Sequence, residues 1–241
     1  MHIIPAIDII DGKCVRLTQG DYAQKTVYSD SPLEIAKQFE GAGITRLHVV
    51  DLDGAKSHHV VNHKILEAIA SHTSLQVDFG GGIKSDADIS TAFDCGAAQV
   101  TVGSIAVKDC ELTLSWLSKY GSEKIILGAD VRDGMIAING WRESGNIPLN
   151  TFLTDYMSAG MRYVICTDIA RDGMLSGPAI ELYGSIIKKF PNIKLIASGG
   201  ISDAGDLGKL SEAGLYGAIT GKAIYEGKIS LAQLKKLTHA G

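Results

Sequence analysis

The tripeptide Gly81-Gly82-Ile83 returns as Gly199-Gly200-Ile201, 118 positions further along the chain. Gly96 and Gly103 return at the same interval as Gly214 and Gly221, and Ala42-Gly43 and Asp51 return at 117 as Ala159-Gly160 and Asp168. Asp8 pairs with Asp130 at 122, which needs only a small insertion between the halves. Within this repeat, short β-rich runs (2–8, 46–51, 75–79, 98–103, 124–130, 162–168, 193–198 and 217–220) alternate with amphipathic stretches such as 32–42, 62–72, 149–159 and 179–189. Runs such as Ile3-Ile4-Pro5-Ala6-Ile7 and Ile125-Ile126-Leu127 are almost continuously apolar, as expected of parallel strands buried on both faces. Strict alternation implies parallel strands joined by right-handed crossovers. Eight such units in 241 residues fit a closed (βα)8 TIM barrel. A doubly wound open sheet has the same alternation but gives no reason for the repeat. No linker, Pro-rich stretch or low-complexity segment interrupts the chain. One α/β domain over 1–241 is expected, built from two repeated half-barrels, about 1–122 and 123–241.

Composition narrows the function. With 45% apolar and 21% charged residues the chain is an ordinary globular one, long enough to bury its own core. A net charge of −4 argues against a generic nucleic-acid or anionic-membrane surface. It leaves room for a phosphorylated small molecule, because backbone N–H groups bind phosphate without any excess of Lys and Arg. Cys14, Cys95, Cys110 and Cys166 are scattered without a C-x-x-C pair, which suggests reduced thiols in a cytoplasmic protein. The N-terminus lacks a basic start and a long apolar run, and no stretch approaches the roughly 18 apolar residues of a membrane span.

In a barrel the catalytic groups sit at the C-terminal ends of the strands. Asp8 ends the first expected strand and Asp130 the fifth, and these face each other across an eight-stranded ring. An Asp after a strand more commonly caps the next turn or helix. Two carboxylates at opposed, repeat-related strand ends favour paired acid–base work, provided their surroundings separate the two pKa values.

The glycine motifs supply the second clue. Gly80-Gly81-Gly82 follows the third strand and Ser198-Gly199-Gly200 the seventh. Gly103-Ser104 follows the fourth and Gly221-Lys222 the eighth. Glycine lets the backbone approach a ligand, and a following helix start supplies N–H donors. Each pair alone is explicable as a tight turn. Four at repeat-related positions point to two phosphate sites on opposite sides of one mouth, and hence to a substrate with a phosphate at each end. None is a dinucleotide fingerprint. His58, His59 and His63 lack an accompanying carboxylate motif and read as a solvated cluster, so no metal is expected. Trp141 is placed either to stack on a planar heterocycle or to pack a loop. Arg16 and Lys13 are plausible phosphate or carboxamide contacts. Arg16 joins the substrate-binding set, as do the repeat-related Asp51 and Asp168.

The blocks Ile4-Pro5-Ala6-Ile7-Asp8-Ile9 with Gly12-Lys13-Cys14-Val15-Arg16-Leu17, and His48-Val49-Val50-Asp51-Leu52-Asp53-Gly54-Ala55, recur in a known family. So do Gly80-Gly81-Gly82-Ile83, Asp130-Val131-Arg132-Asp133-Gly134, Asn139-Gly140-Trp141, Thr167-Asp168-Ile169-Ala170-Arg171-Asp172-Gly173 and Ser198-Gly199-Gly200-Ile201. In order and over essentially the whole chain, they resemble the phosphoribosylformimino-aminoimidazole carboxamide ribotide isomerases of histidine biosynthesis. The resemblance implies an Amadori rearrangement of an aminoaldose ribose phosphate to the aminoketose, without metal or redox cofactor. It implies Asp130 as general acid on the ring oxygen and Asp8 as general base at carbon 2. Thr167 would assist the acid step, and Trp141 would fold over the planar part of the substrate. Two positions depart from the family pattern: Lys84 stands where Arg is usual, keeping the charge but losing the bidentate fork, and Ala179 stands where Asn is expected.

Three rivals share these features. The imidazole glycerol phosphate synthase cyclase is the sister barrel, but its opening typically has Cys-Leu-Asp where this chain has Ala6-Ile7-Asp8. A dual-substrate isomerase would also accept phosphoribosylanthranilate. A non-catalytic phosphate-binding barrel would have little use for two carboxylates facing an anionic ligand. A monomer is expected, and the long connections 12–30 and 134–148 are expected to act as lids.

Overall fold

The computed structural model describes residues 1–18, 20–138, 140–141 and 143–239, with 143–146 and 239 described by their backbone alone. Asn139 and Arg142 of the Trp141 block lie outside the described residues. Strand β1 (His2–Ile10) runs into an antiparallel hairpin, β2 (Lys13–Thr18) and β3 (Asp21–Ser29), before α1 (Pro32–Gly41) and β4 (Arg46–Asp51). Next come α2 (Leu52–Ser57), α3 (His63–His72), β5 (Gln76–Gly80), α4 (Asp86–Asp94), β6 (Gln99–Val102), α5 (Ser104–Lys108) and α6 (Cys110–Tyr120). Strand β7 (Ile125–Arg132) is followed by a second hairpin, β8 (Met135–Ile138) and β9 (Glu143–Pro148), then α7 (Leu149–Ser158) and β10 (Tyr163–Asp168). The chain closes with α8 (Ile180–Lys189), β11 (Lys194–Ser198), α9 (Ala204–Glu212), β12 (Gly217–Thr220), α10 (Lys222–Tyr225) and α11 (Leu231–His239).

Eight parallel strands close into a ring in the order β1, β4, β5, β6, β7, β10, β11, β12 and back to β1. The TIM barrel expected from the alternation is therefore present. Strands β1 and β7 stand four places apart in either direction, so they oppose each other. The two connections expected to act as lids are built around hairpins that continue β1 and β7 beyond the ring. Alternation along 13–18 supports the first of these, because Val15 and Leu17 join Ile10 in a small apolar cluster of their own.

A strand period of two sorts every side chain in the ring. Along β1, Ile3, Ile7 and Ile9 pack outward into the main core beneath the helices, while Ile4 and Ala6 point into the barrel. Asp8 is the next inward position. Ile126, Gly128 and Asp130 repeat this progression on β7, and Tyr163, Ile165 and Thr167 on β10. The helices are set by ordinary signals. In α1, Ser31 accepts from the Glu34 N–H, Pro32 takes the first turn, and Ala36 and Phe39 are buried. At the opposite end of the barrel from Asp8, Arg46 donates to Gln99 at 2.9 Å and lies over the Tyr216 ring. Lys194 lies over Tyr163 and donates to its hydroxyl at 2.6 Å, and that hydroxyl donates to Glu123 at 2.7 Å. This aromatic and cationic layer stops the barrel axis from below.

Candidate active site

A cavity of about 530 Å³ opens at the C-terminal ends of the strands. Asp8, Arg16, Gly81, Gly82, Gly103, Ser104, Asp130, Trp141 and Thr167 all line it. Asp8 and Asp130 face one another across it as the topmost inward residues of opposed strands. Their surroundings differ. Asp8 pairs with the Arg16 guanidinium at 2.9 Å, and both side chains are nearly buried. Asp130 has no cation bonded to it among the described residues. It accepts hydrogen bonds from Trp141 and from Thr167, its register partner on β10. Burial pushes both carboxyls above the ordinary value. Arg16 and then His48 oppose this at Asp8, while Trp141, Thr167 and then His48 oppose it at Asp130.

Sequence reasoning missed His48, Asp78 and Asp172. His48 donates to or accepts from Asp78 at 2.5 Å, and Asp78 also accepts from the Thr101 hydroxyl at 2.5 Å, which makes a polar chain across β4, β5 and β6. Burial alone would lower the His48 pKa, but the Asp78 charge and hydrogen bond, with help from Asp8, raise it. A signal was present: His48 alternates with Leu47 and Val49, whose exposure is 0%, so it must point inward. Asp172 lies in the connection after β10 and reaches the cavity wall. Burial pushes its carboxyl up to about 6, opposed by Arg16 and reinforced by the charges of Asp8 and Asp130.

Asp172 gives a stability prediction. A carboxyl whose folded pKa lies above its unfolded value favours the protonated state, so stability is lost as pH rises from about 4 through about 6. Above that range the ionised group is a liability to the free protein. Asp172→Asn is expected to stabilise the chain by about 1–2 kcal/mol at pH 7.5 and by little at pH 4. Urea unfolding at both pH values checks this, and equal effects at the two would refute it.

The remaining expected binding residues lie elsewhere. Asp51 is fully buried, and its oxygens accept from the N–H groups of Gly54, Val61 and Asn62 and from the Asn62 amide at 2.6–2.8 Å. It is an internal brace outside the cavity wall. Asp168 caps Ala170 and pairs with Arg171 at 3.2 Å. Gly199, Gly200, Gly221 and Lys222 do not line the cavity, because the 171–177 segment packs over them. The Gly177 N–H donates to Gly200 O at 2.8 Å, and Lys222 donates to Gly173 O at 2.8 Å. A Cβ on Gly200 would lie 2.2 Å from Gly177 O, and one on Gly221 would lie 2.7 Å from the Arg16 guanidinium carbon. These glycines therefore admit close packing whether or not a ligand is present. Helices α5 and α10, after Gly103 and Gly221, span only Ser104–Lys108 and Lys222–Tyr225, too short to contribute a substantial dipole. His58 and His59 lie in the α2–α3 connection and His63 opens α3; His58 borders the cavity, and His59 is bonded to Ser57 O. Among the described residues no group of three His, Cys, Asp or Glu side chains is placed to hold a metal, and no helix is long and apolar enough to cross a membrane.

The family model described as "Histidine biosynthesis protein" matches residues 2–230. A protein of Bacteroides thetaiotaomicron is 61% identical over 98% of each chain, and one of Flavobacterium johnsoniae is 60% identical over 98% of each. A protein of Parabacteroides distasonis is 60% identical over 99% of this chain and 100% of its own. All three are named 1-(5-phosphoribosyl)-5-((5-phosphoribosylamino)methylideneamino) imidazole-4-carboxamide isomerase.

Proposed function

The chain belongs to the histidine biosynthesis protein family, and we propose that its cavity carries out the aldose–ketose isomerisation named for its relatives. The observation that carries this reading is the pair of unlike carboxyl environments facing one another over the cavity. The substrate in the relatives' name holds two phosphoribosyl groups, and the glycine loops after β5 and β6, which line the cavity, suit one of them. The expectation of two half-barrels, 1–122 and 123–241, forming one domain belongs to the same reading, as do a cytoplasmic setting and a monomeric state.

The chemistry needs one acid and one base. A protonated carboxyl gives its proton to the furanose ring oxygen, the bond from carbon 1 to that oxygen breaks, and the nitrogen lone pair forms the Schiff base. A carboxylate then takes the proton from carbon 2, and the resulting enolamine tautomerises to the ketone. Asp8 suits the base, because the Arg16 guanidinium favours its ionised form. Asp130 suits the acid, because it lies buried with hydrogen-bond donors but no bonded cation among the described residues. Thr167 holds Asp130 by its hydroxyl, and Trp141 roofs the cavity. The substrate nitrogen stabilises the developing charge, so catalysis is proposed to need no metal or redox cofactor.

A second reading of the acid rests on Asp172. Its carboxyl, at about 6, keeps more of its proton near neutral pH than an ordinary Asp. The test is turnover of the aminoaldose bis-phosphate by the purified protein, with kcat/KM followed from pH 5 to 9. Wild type is expected to isomerise it and to lose kcat/KM as pH rises past the acid's pKa. If that falling limb near pH 6 disappears in Asp172→Asn but persists in Asp130→Asn, the acid is Asp172. Binding without turnover would refute the isomerase reading, and conversion of the aminoketose with ammonia would favour the cyclase. Parallel trials with phosphoribosylanthranilate decide whether a second substrate is used.

A further inference from the structure

Three lysines, Lys56, Lys84 and Lys108, line the cavity without an ion pair among the described residues, and Lys84 and Lys108 are the two that act on one another's charge. Lys84 follows the Gly81-Gly82-Ile83 turn and is half-buried, and Lys108 ends α5 and is exposed. Both line the cavity. Among the described residues neither forms an ion pair. Burial first, and the Lys108 charge next, hold the Lys84 ammonium below its usual pKa. The carboxylate whose charge opposes this at Lys84 is Asp88, and it is already engaged. Its Oδ1 accepts from the Val60 N–H at 3.0 Å, and its Oδ2 accepts from the Lys84 N–H at 3.2 Å and the Ser85 hydroxyl at 2.6 Å. Two like charges in a partly desolvated pocket repel one another, and packing does not require either ammonium to be there.

We propose that Lys108 is a substrate-phosphate ligand that acts together with Lys84, the two ammonium groups clamping one phosphate dianion beside Gly81 and Gly82. The proposal rests on the isomerase reading for the identity of the substrate, but not for the existence of the clamp. Two unit charges match a dianion, and the repulsion that disfavours the empty pocket becomes attraction when the anion arrives. An arginine at position 84 would offer a planar fork to two phosphate oxygens, whereas a lysine is a point charge. Lys108 supplies the second point of contact from the neighbouring strand end.

The first test uses inorganic phosphate and protein labelled with carbon-13 at lysine. In wild type, phosphate is expected to move the side-chain signals of both Lys84 and Lys108 and to raise the Lys84 pKa. In Lys108→Gln the phosphate affinity at this end is expected to fall roughly tenfold, the range of one charge-assisted contact. Lys108→Arg is expected to bind as wild type does. The second test is kinetic: Lys108→Gln should raise KM roughly tenfold with kcat nearly unchanged, and Lys84→Arg with Lys108→Gln should recover most of the loss. Unchanged phosphate affinity in Lys108→Gln overturns the proposal, as does a phosphate response confined to Lys222. If wild type binds phosphate through both lysines yet turns over no aminoaldose, the isomerase reading falls and the clamp stands.

Discussion

Asp8→Asn is expected to lower kcat by about 10³-fold and to leave substrate affinity within a few-fold of wild type, the usual scale for loss of a positioned general base. The side chain is nearly buried and keeps its volume in the substitution, so the cavity wall survives. An asparagine oxygen can still accept from Arg16, which approaches Asp8 at 2.9 Å, but it cannot take a proton from carbon. Removing a negative charge from a site for a phosphorylated substrate gives affinity no reason to fall. Steady-state kinetics beside a direct binding titration separates the two quantities. A variant that keeps kcat within tenfold of wild type removes Asp8 from the chemistry. A variant that loses binding instead makes it a positioning group for Arg16.

Asp51→Ala is expected to cost about 3–5 kcal/mol, the largest loss of stability for a single side chain of the site region. The carboxylate is fully buried and satisfies three backbone N–H groups and one side-chain amide. Removing it strands those donors in the interior, where each unmade bond costs about 1–3 kcal/mol before relaxation. In a chain of this length that lowers Tm by roughly 10 °C or more. The loss reaches the cavity through glycine packing. A Cβ on Gly81 would lie 2.2 Å from Asp51 O, and one on Gly82 would lie 2.5 Å from His59 O, so the turn at the cavity rests on the segment that Asp51 holds. The truncated protein, where folded, should therefore show a raised KM. Asp51→Asn keeps one acceptor oxygen and should lose less. Differential scanning calorimetry of both variants decides the matter, and a Tm within about 3 °C of wild type for the alanine variant refutes the brace.

The ring was legible because nearly continuous apolar runs alternate with amphipathic stretches and a period-118 glycine pattern agrees with them. The placement of Asp8 and Asp130 at opposed strand ends was legible from the repeat, and in the structure each continues an inward series of Ile4 and Ala6 or Ile126 and Gly128. The hairpins were not. Most of 21–29 is exposed, so β3 has no apolar stripe to separate it from a loop. Asp172 lies in a turn-rich connection with no periodicity, and only its approach to Arg16 and the barrel carboxylates marks it. Asp51 misled in the opposite way. A carboxylate after a strand looks the same in sequence whether it faces a ligand or the N–H groups of its own chain. Lys84 and Lys108 lie 24 positions apart after neighbouring strands, so no local pattern brings them together in the sequence.

The layer of Arg46, Tyr163, Lys194 and Tyr216 at the foot of the barrel has a bearing on traffic. It makes the cavity a cul-de-sac. Whatever enters between the two hairpins must turn round and leave by the same doorway, so arrival and departure exclude one another in time. No small reagent can be handed up the axis from a protein docked beneath, and none can be passed down to one. A protein that took the product directly would have to dock over the mouth and not beneath the barrel.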